Sequence, residues 1–221
     1  APTISRVCRA TPMRALSTLP ARGISQAAAV KKTLKVVSSE LEHEESSYAI
    51  DESFQPFMEK SGFNLVEADS SPQITLTRQV GDTTVEITFL ARTPDNQPEE
   101  EEQQGNENQN YVDFQVQIQK SKLKGGLFFE CSSQNSEVSI VSLMYSQNLE
   151  ELDRANIYFN NKDYRGPDFS TLDDKLQASL IEYLQSFGVN DELGSFIESY
   201  SLDKEQRLYM GWLSSLKRFL S

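Results

Sequence analysis

The stretch from Tyr164 to Phe219 constrains the fold more than any other part of the chain. Pro167 lacks an N–H and fixes φ, so it stops any strand that reaches it. Ser170 and Thr171 are good caps for the free N–H groups of a helix start, which leaves Asp173 and Asp174 in its positive first turn. Leu172, Leu176, Leu180, Tyr183, Leu184 and Phe187 recur every three or four residues, the spacing of one buried helical face. Gly188 suits the left-handed position that ends such a helix, with Val189 folding back onto Leu184. A terminal helix follows, where Tyr209, Trp212, Leu213, Leu216, Phe219 and Leu220 keep the same spacing. Trp212 is expected in the core, where truncation to Ala removes ~3–5 kcal/mol. These residues specify a scaffold, and none is a reaction centre.

Several landmarks fall in one order: Tyr164-x-Gly166-Pro167-x-Phe169, Leu172-Asp173-x-x-Leu176-Gln177, Tyr183-Leu184 and Gly188-Val189-Asn190. Phe196-Ile197 and Tyr209-x-x-Trp212-Leu213-x-x-Leu216-Lys217-x-Phe219 complete it. This order resembles the end of the mitochondrial acidic matrix family, also called the MAM33 or p32/gC1q-receptor family. The resemblance is dense over residues 164–220 and looser, but consistent in order, before them. It implies a non-enzymatic, ring-shaped homotrimer of the mitochondrial matrix. It also implies an adaptor or chaperone-like role that supports mitochondrial translation, RNA handling and oxidative phosphorylation. Gly166, Pro167, Leu176, Gly188, Trp212 and Leu216 are then structural residues. The family offers no catalytic residues to carry over.

Charge divides the chain. Residues 1–39 hold Arg6, Arg9, Arg14, Arg22, Lys31, Lys32 and Lys35 and no acid, a charge of +7. The remainder sets the other 14 Lys and Arg against all 33 Asp and Glu, a charge of −19. Spaced arginines among Ser, Thr and Ala, with no acid and no continuous apolar core, are the composition of a mitochondrial or plastid transit peptide. A basic tail that binds an acidic partner is the alternative. The expected division is residues 1–24 as transit peptide and 25–221 as one domain, long enough for a proper core.

No apolar run approaches the ~18–20 residues of a membrane span. Cys8 lies in the basic segment, so Cys131 is left alone in the domain, unable to form an internal disulfide, and reads as a small buried hydrophobe.

Ala27, Val30, Leu34, Val37 and Leu41 form a short heptad-like seam that needs a partner helix. The terminal helix is the natural one, in an antiparallel pair that ties the chain ends together. Between them the period changes to two. Strands are expected at Phe63–Val66, Ile74–Thr77, Val85–Phe89, Val112–Ile118, Leu127–Phe129, Val138–Leu143 and Ile157–Phe159. Gly81-Asp82 and Lys124-Gly125-Gly126 supply turns. The fold class is therefore α+β: a seven-stranded, twisted antiparallel sheet flanked by helices at both ends of the chain.

Residues 93–110 break the pattern. Pro94, Pro98, Glu99, Glu100, Glu101, Glu102 and a Gln/Asn-rich tail carry too little apolar surface to order themselves, and disorder is expected. The four Glu are the candidate partner-binding residues, read against a solvated loop that binds nothing; the spacing of a dedicated Ca²⁺ loop is absent. His43 sits amid Glu42, Glu44 and Glu45 on a polar helix face, a poor setting for a general base. No Gly-x-Ser-x-Gly elbow, phosphate-binding loop or GxGxxG is present. The reading calls for no catalytic residue, metal or cofactor.

A charge of −19 disfavours direct phosphate contact, apart from a small basic turn at Lys120, Lys122 and Lys124. It favours basic proteins, such as RNA-binding or ribosomal ones, as partners. Two alternatives stay open: an acidic buffer or storage protein without specific clients, and an enzyme with an unrecognised metal or carboxylate site.

Overall fold

Six strands run as one antiparallel meander, each hydrogen-bonded to the next in chain order. They are β1 (Asn64–Glu67), β2 (Gln73–Val80), β3 (Thr83–Leu90), β4 (Tyr111–Lys120), β5 (Gly126–Gln134) and β6 (Glu137–Ser146). The computed structural model describes residues 25–92, 111–149 and 164–221. The described sheet thus has six strands, where the sequence suggested seven. The seventh, Ile157–Phe159, lies outside the described residues, as do the basic segment 1–24 and the acidic loop 93–110.

Register follows from the alternation. Val80 faces Thr83 across the two-residue turn at Gly81-Asp82. From there Leu65, Leu76, Ile87, Val116, Phe129 and Leu143 fall opposite one another and cross all six strands in one apolar row. A second row joins Ile74, Phe89, Phe114, Cys131 and Ile140. A slip of one residue would turn both rows to solvent, so the register is strongly specified. A bulge after Glu130 pairs Ser142 with Glu130 and Ile140 with Cys131, leaving Val141 unpaired.

Helices cover the apolar rows. The helix α4 (Asp191–Leu220), capped by the Asn190 side chain on the Leu193 N–H, is about 45 Å long at 1.5 Å per residue. Leu193, Ile197, Ser201 and Lys204 line its fully buried stripe. A short helix absent from the sequence reading, α2 (Phe54–Ser61), packs across it. Phe54 and Phe57 meet Phe196 and Tyr200 with ring centroids 4.3–5.7 Å apart. Pro56 falls in the first turn of α2, where its missing N–H has no acceptor to lose.

The second half of α4 pairs with α1 (Gln26–Ser47). Tyr48 donates to Asp203, Gln206 to Glu44, and Tyr209 to Glu40. One helix counts up as the other counts down, so the pair is antiparallel, as the two seams suggested. Val37, Leu41 and Leu213 are its buried centre, with Tyr209, Met210, Leu216 and Leu220 packed around them.

Two expectations change. Trp212 is 56% exposed and its neighbour Leu213 only 3%. A spacing of three or four admits either residue of a Trp-Leu pair, and the register with α1 selects Leu213. Leu176, expected on the buried face of α3 (Asp174–Ser186), is also exposed. That helix meets the core only near its end, through Leu180, Tyr183, Leu184 and Phe187.

The start of α3 also differs. Ser170 and Thr171 belong to a tight 3-10 turn, Phe169–Thr171, which lowers Phe169 against β6. The helix therefore begins later, capped by Asp173, whose carboxylate accepts from the Lys175 N–H at 3.0 Å. The other end is as expected. Val189 N–H bonds to Leu184 C=O and Gly188 N–H to Gln185 C=O, a Schellman motif with Gly188 at φ +87°.

Candidate functional site

The alternation that buries Phe89, Phe114 and Cys131 sends their neighbours to the opposite, open face of the sheet. Thr88, Leu90, Asp113, Gln115 and Glu130 stand there, joined by Val141 from the bulge and by Tyr111. Together they line a groove of about 620 Å³. Its walls are apolar at Leu90, Tyr111 and Val141, each about half exposed, and its charged groups are two carboxylates beside the polar Thr88 and Gln115. Asp113 accepts the Tyr111 hydroxyl at 2.5 Å. Glu130 accepts from Arg165 at 2.8 Å and from the Ser142 hydroxyl. Gly166 sits beside this pair at φ +77°, so close to the Leu143 carbonyl that a Cβ would stand 2.5 Å from its oxygen. Arg165 thus holds Glu130 in place, and the close approach at Gly166 leaves no room for a side chain.

A second concavity, of about 420 Å³, opens where α1 ends against α4. Glu44, Asp51 and Asp203 line it with Tyr48, Phe54 and Gln206. The Asp51 carboxyl is held low by the Ser53 backbone N–H, at 2.8 Å.

Beside it lies a charge network absent from the sequence reading. Lys204 is fully buried, donating to the Ala68 carbonyl at 2.8 Å and pairing with Glu67 at 3.3 Å. Arg207 bridges Glu67 (2.7 Å) and Asp203 (2.8 Å) and lies over the Tyr200 ring. Burial acts to raise the Glu67 carboxyl, but the hydrogen bond and charge of Arg207, with Lys204, outweigh it and hold the group below its ordinary value. Burial also pushes the Tyr200 hydroxyl up to about 12. The available signal was Lys204 itself, a cation at apolar spacing after Leu193, Ile197 and Ser201.

A further buried acid, Glu198, takes the Ser133 hydroxyl and the Ser136 N–H. It thereby fastens α4 to the tight β5–β6 turn, where Asn135 and Ser136 both have positive φ.

The candidate partner-binding residues Glu99 to Glu102 lie outside the described residues. Arg92 and Tyr111, which flank that segment, are joined at the groove rim by a 2.7 Å hydrogen bond from the Arg92 guanidinium to the Tyr111 carbonyl. Asp113 and Glu130 were not singled out in the sequence because carboxylates are too common there to carry information. His43 is exposed on α1, and burial of the Cys131 thiol raises its pKa. Among the described residues no three His, Cys, Asp or Glu come together as metal ligands, and no helix is long and apolar enough to cross a membrane.

The fold recurs in solved structures. A Leishmania major protein described as a sequence homologue of human p32 superposes with a TM-score of 0.70 at 20% identity, covering 89% of this chain and all of that one. The Trypanosoma brucei p22 protein gives 0.67 at 25% identity, covering 87% of this chain and 99% of that one. The mitochondrial acidic protein mam33 of Schizosaccharomyces pombe is 26% identical over 214 residues, 86% of this chain and 78% of its own length. The MAM33 family, described as mitochondrial glycoprotein, matches residues 37–220. The chain therefore belongs to the MAM33 family of mitochondrial proteins.

Proposed function

We propose that this protein is a non-enzymatic adaptor of the mitochondrial matrix that captures basic segments of client proteins on its acidic surface. The observation that carries the reading is the distribution of charge. All 33 acids fall between Glu40 and Glu205, and two of them stand in the groove on the open sheet face. A groove with apolar walls and carboxylates suits a peptide that alternates basic and apolar residues. Four further Glu, at 99–102, lie on the segment that Arg92 and Tyr111 flank at its rim. The clients in this reading are drawn from mitochondrial translation, RNA handling and oxidative phosphorylation, and RNA-binding and ribosomal proteins have the matching charge. In this reading residues 1–24 direct import, and three copies close a ring that repeats the acidic segments and adds avidity.

Titration with a fluorescent Arg/Lys-rich peptide tests the proposal. Binding is expected to weaken steeply from low to physiological salt as screening shortens to ~8 Å. It should weaken further when Asp113→Asn is combined with Glu99, Glu100, Glu101 and Glu102 all changed to Gln. Affinity unchanged across both series would mean that clients are not held by charge. Binding that responds to salt but not to the substitutions, with no preference among basic probes, would favour the acidic-buffer reading.

A further inference from the structure

Two acid-free stretches, distant in sequence, come together in space. Residues 25–39 carry Lys31, Lys32 and Lys35, and residues 208–221 carry Lys217 and Arg218, five cations and no acid. Because α1 and α4 are antiparallel, these two stretches form the far half of one helical pair. All five cations are exposed there. The rest of the domain is strongly acidic, so this arm has opposite polarity to the body that carries it.

The arm also exposes apolar surface on one flank. The hydrogen bond from Tyr209 to Glu40 identifies the side that the two helices share. Val36 lies four residues before Glu40, and Trp212 three residues after Tyr209, one helical turn in each case. Tyr209 and Trp212 stack with centroids 5.9 Å apart. Phe219, two turns beyond Trp212, continues the same flank. Val36 is 60% exposed, Trp212 56% and Phe219 85%. The partly buried Leu216 lies between the two aromatics.

We propose that this flank is an interfacial membrane contact, with an anionic lipid bilayer as its occupant. Trp and Phe beside exposed Lys and Arg are the chemistry of a helix that lies in the headgroup region. Val36, Leu216 and Phe219 enter the acyl boundary, and the five cations meet lipid phosphates. Val36 and Leu216 offer no stacking surface to a base, and the Trp212 ring already stacks on Tyr209, which favours lipid over nucleic acid. Residues 40–207 set 12 Lys and Arg against all 33 Asp and Glu, and that charge of −21 would repel the same membrane, so the arm orients the acidic body away from it. This is separate from client capture and survives its failure.

Trp212 is the only tryptophan, which makes the full chain its own reporter. Vesicles of phosphatidylcholine with about one-third phosphatidylglycerol, enough to supply anionic surface charge, should shift its emission to shorter wavelength. Brominated acyl chains in the same vesicles should quench it. Changing Lys217 and Arg218 to Gln should weaken binding roughly 30-fold, the loss of two cations near an anionic surface. Val36→Ser with Phe219→Ser, both on exposed positions, should abolish the shift while leaving the melting temperature unchanged. Four outcomes overturn the proposal: no shift with anionic vesicles; an equal shift with pure phosphatidylcholine; a lipid-free, concentration-dependent shift that tracks mass by light scattering, which assigns the flank to a second copy; and quenching by a short single-stranded RNA in place of the lipid response, which assigns it to nucleic acid.

Discussion

Glu67 concentrates the electrostatics of this domain in one side chain. It is 17% exposed and faces Lys204, which is fully buried, and Arg207, which is partly so. Glu67→Ala strips Lys204 of its counter-charge and should destabilise by ~3–5 kcal/mol, the usual result of breaking a buried pair from one side. Adding Lys204→Met should recover part of the loss in a denaturant double-mutant cycle, because the orphaned charge is then gone. The pH dependence has a definite sign. The Glu67 carboxyl lies below its ordinary value in the fold, so its contribution is complete above the unfolded value near 4.5 and is lost as pH falls through the folded one. Melting temperature should drop more steeply below pH 4.5 in the parent than in Glu67→Gln. Equal slopes would show that other carboxylates govern acid unfolding. Gly188 is a second such residue. At φ +87° any side chain is strained, and a Cβ would stand 2.7 Å from the Arg78 guanidinium, which donates to the Phe187 carbonyl. Gly188→Ala should therefore cost roughly 1–2 kcal/mol, most of it backbone.

Among the elements, the α1–α4 pair separates two residues that the sequence treats alike. Leu213→Ala removes a buried side chain between Val37 and Leu41 and should destabilise by ~2–5 kcal/mol. Trp212→Ala, on the exposed flank, should change stability by less than about 1 kcal/mol. Chemical denaturation of the two variants checks the register, and the reverse ranking would place the indole in the core. The two ends of α3 were legible to different degrees. Its C-terminus was fully readable because a Schellman motif is local: Leu184, Gln185, Gly188 and Val189 satisfy one another's backbone groups and apolar contact. Its N-terminus is not legible in the sequence because Thr171 turns back to the Asp168 carbonyl, so that Phe169 reaches the sheet. α2 leaves no periodic signature in the sequence because two turns carry too few apolar residues to show one.

For the whole molecule, the proposed ring makes a direct prediction. Light scattering at physiological salt and micromolar concentration should give three times the chain mass, and a stable monomer would remove avidity from the adaptor model. The candidate groove shows why its residues were hidden. Asp113 and Glu130 lie 17 residues apart on adjacent strands and approach one site only through the β4–β5 register, which sets Phe114 against Cys131. The bulge after Glu130 then frees Val141 to complete the wall. Neither carboxylate differs in sequence from the other acids of the chain.

The sequence by itself determined what local spacing can encode: strand alternation from Phe63 to Leu143, the two-residue turn at Gly81-Asp82, the cap at Gly188, and the seams of α1 and α4. It also determined the partition of charge, since no acid precedes Glu40 or follows Glu205. Tertiary structure alone decided which residue of the Trp212-Leu213 pair is buried, because both satisfy the helical period and only the register with Val37 and Leu41 distinguishes them. It decided that Lys204 is fully buried, since a neighbouring strand end supplies the Glu67 charge and the Ala68 carbonyl that make burial tolerable. And it placed two distant acid-free segments side by side, because antiparallel packing joins the ends of a chain that its sequence keeps apart.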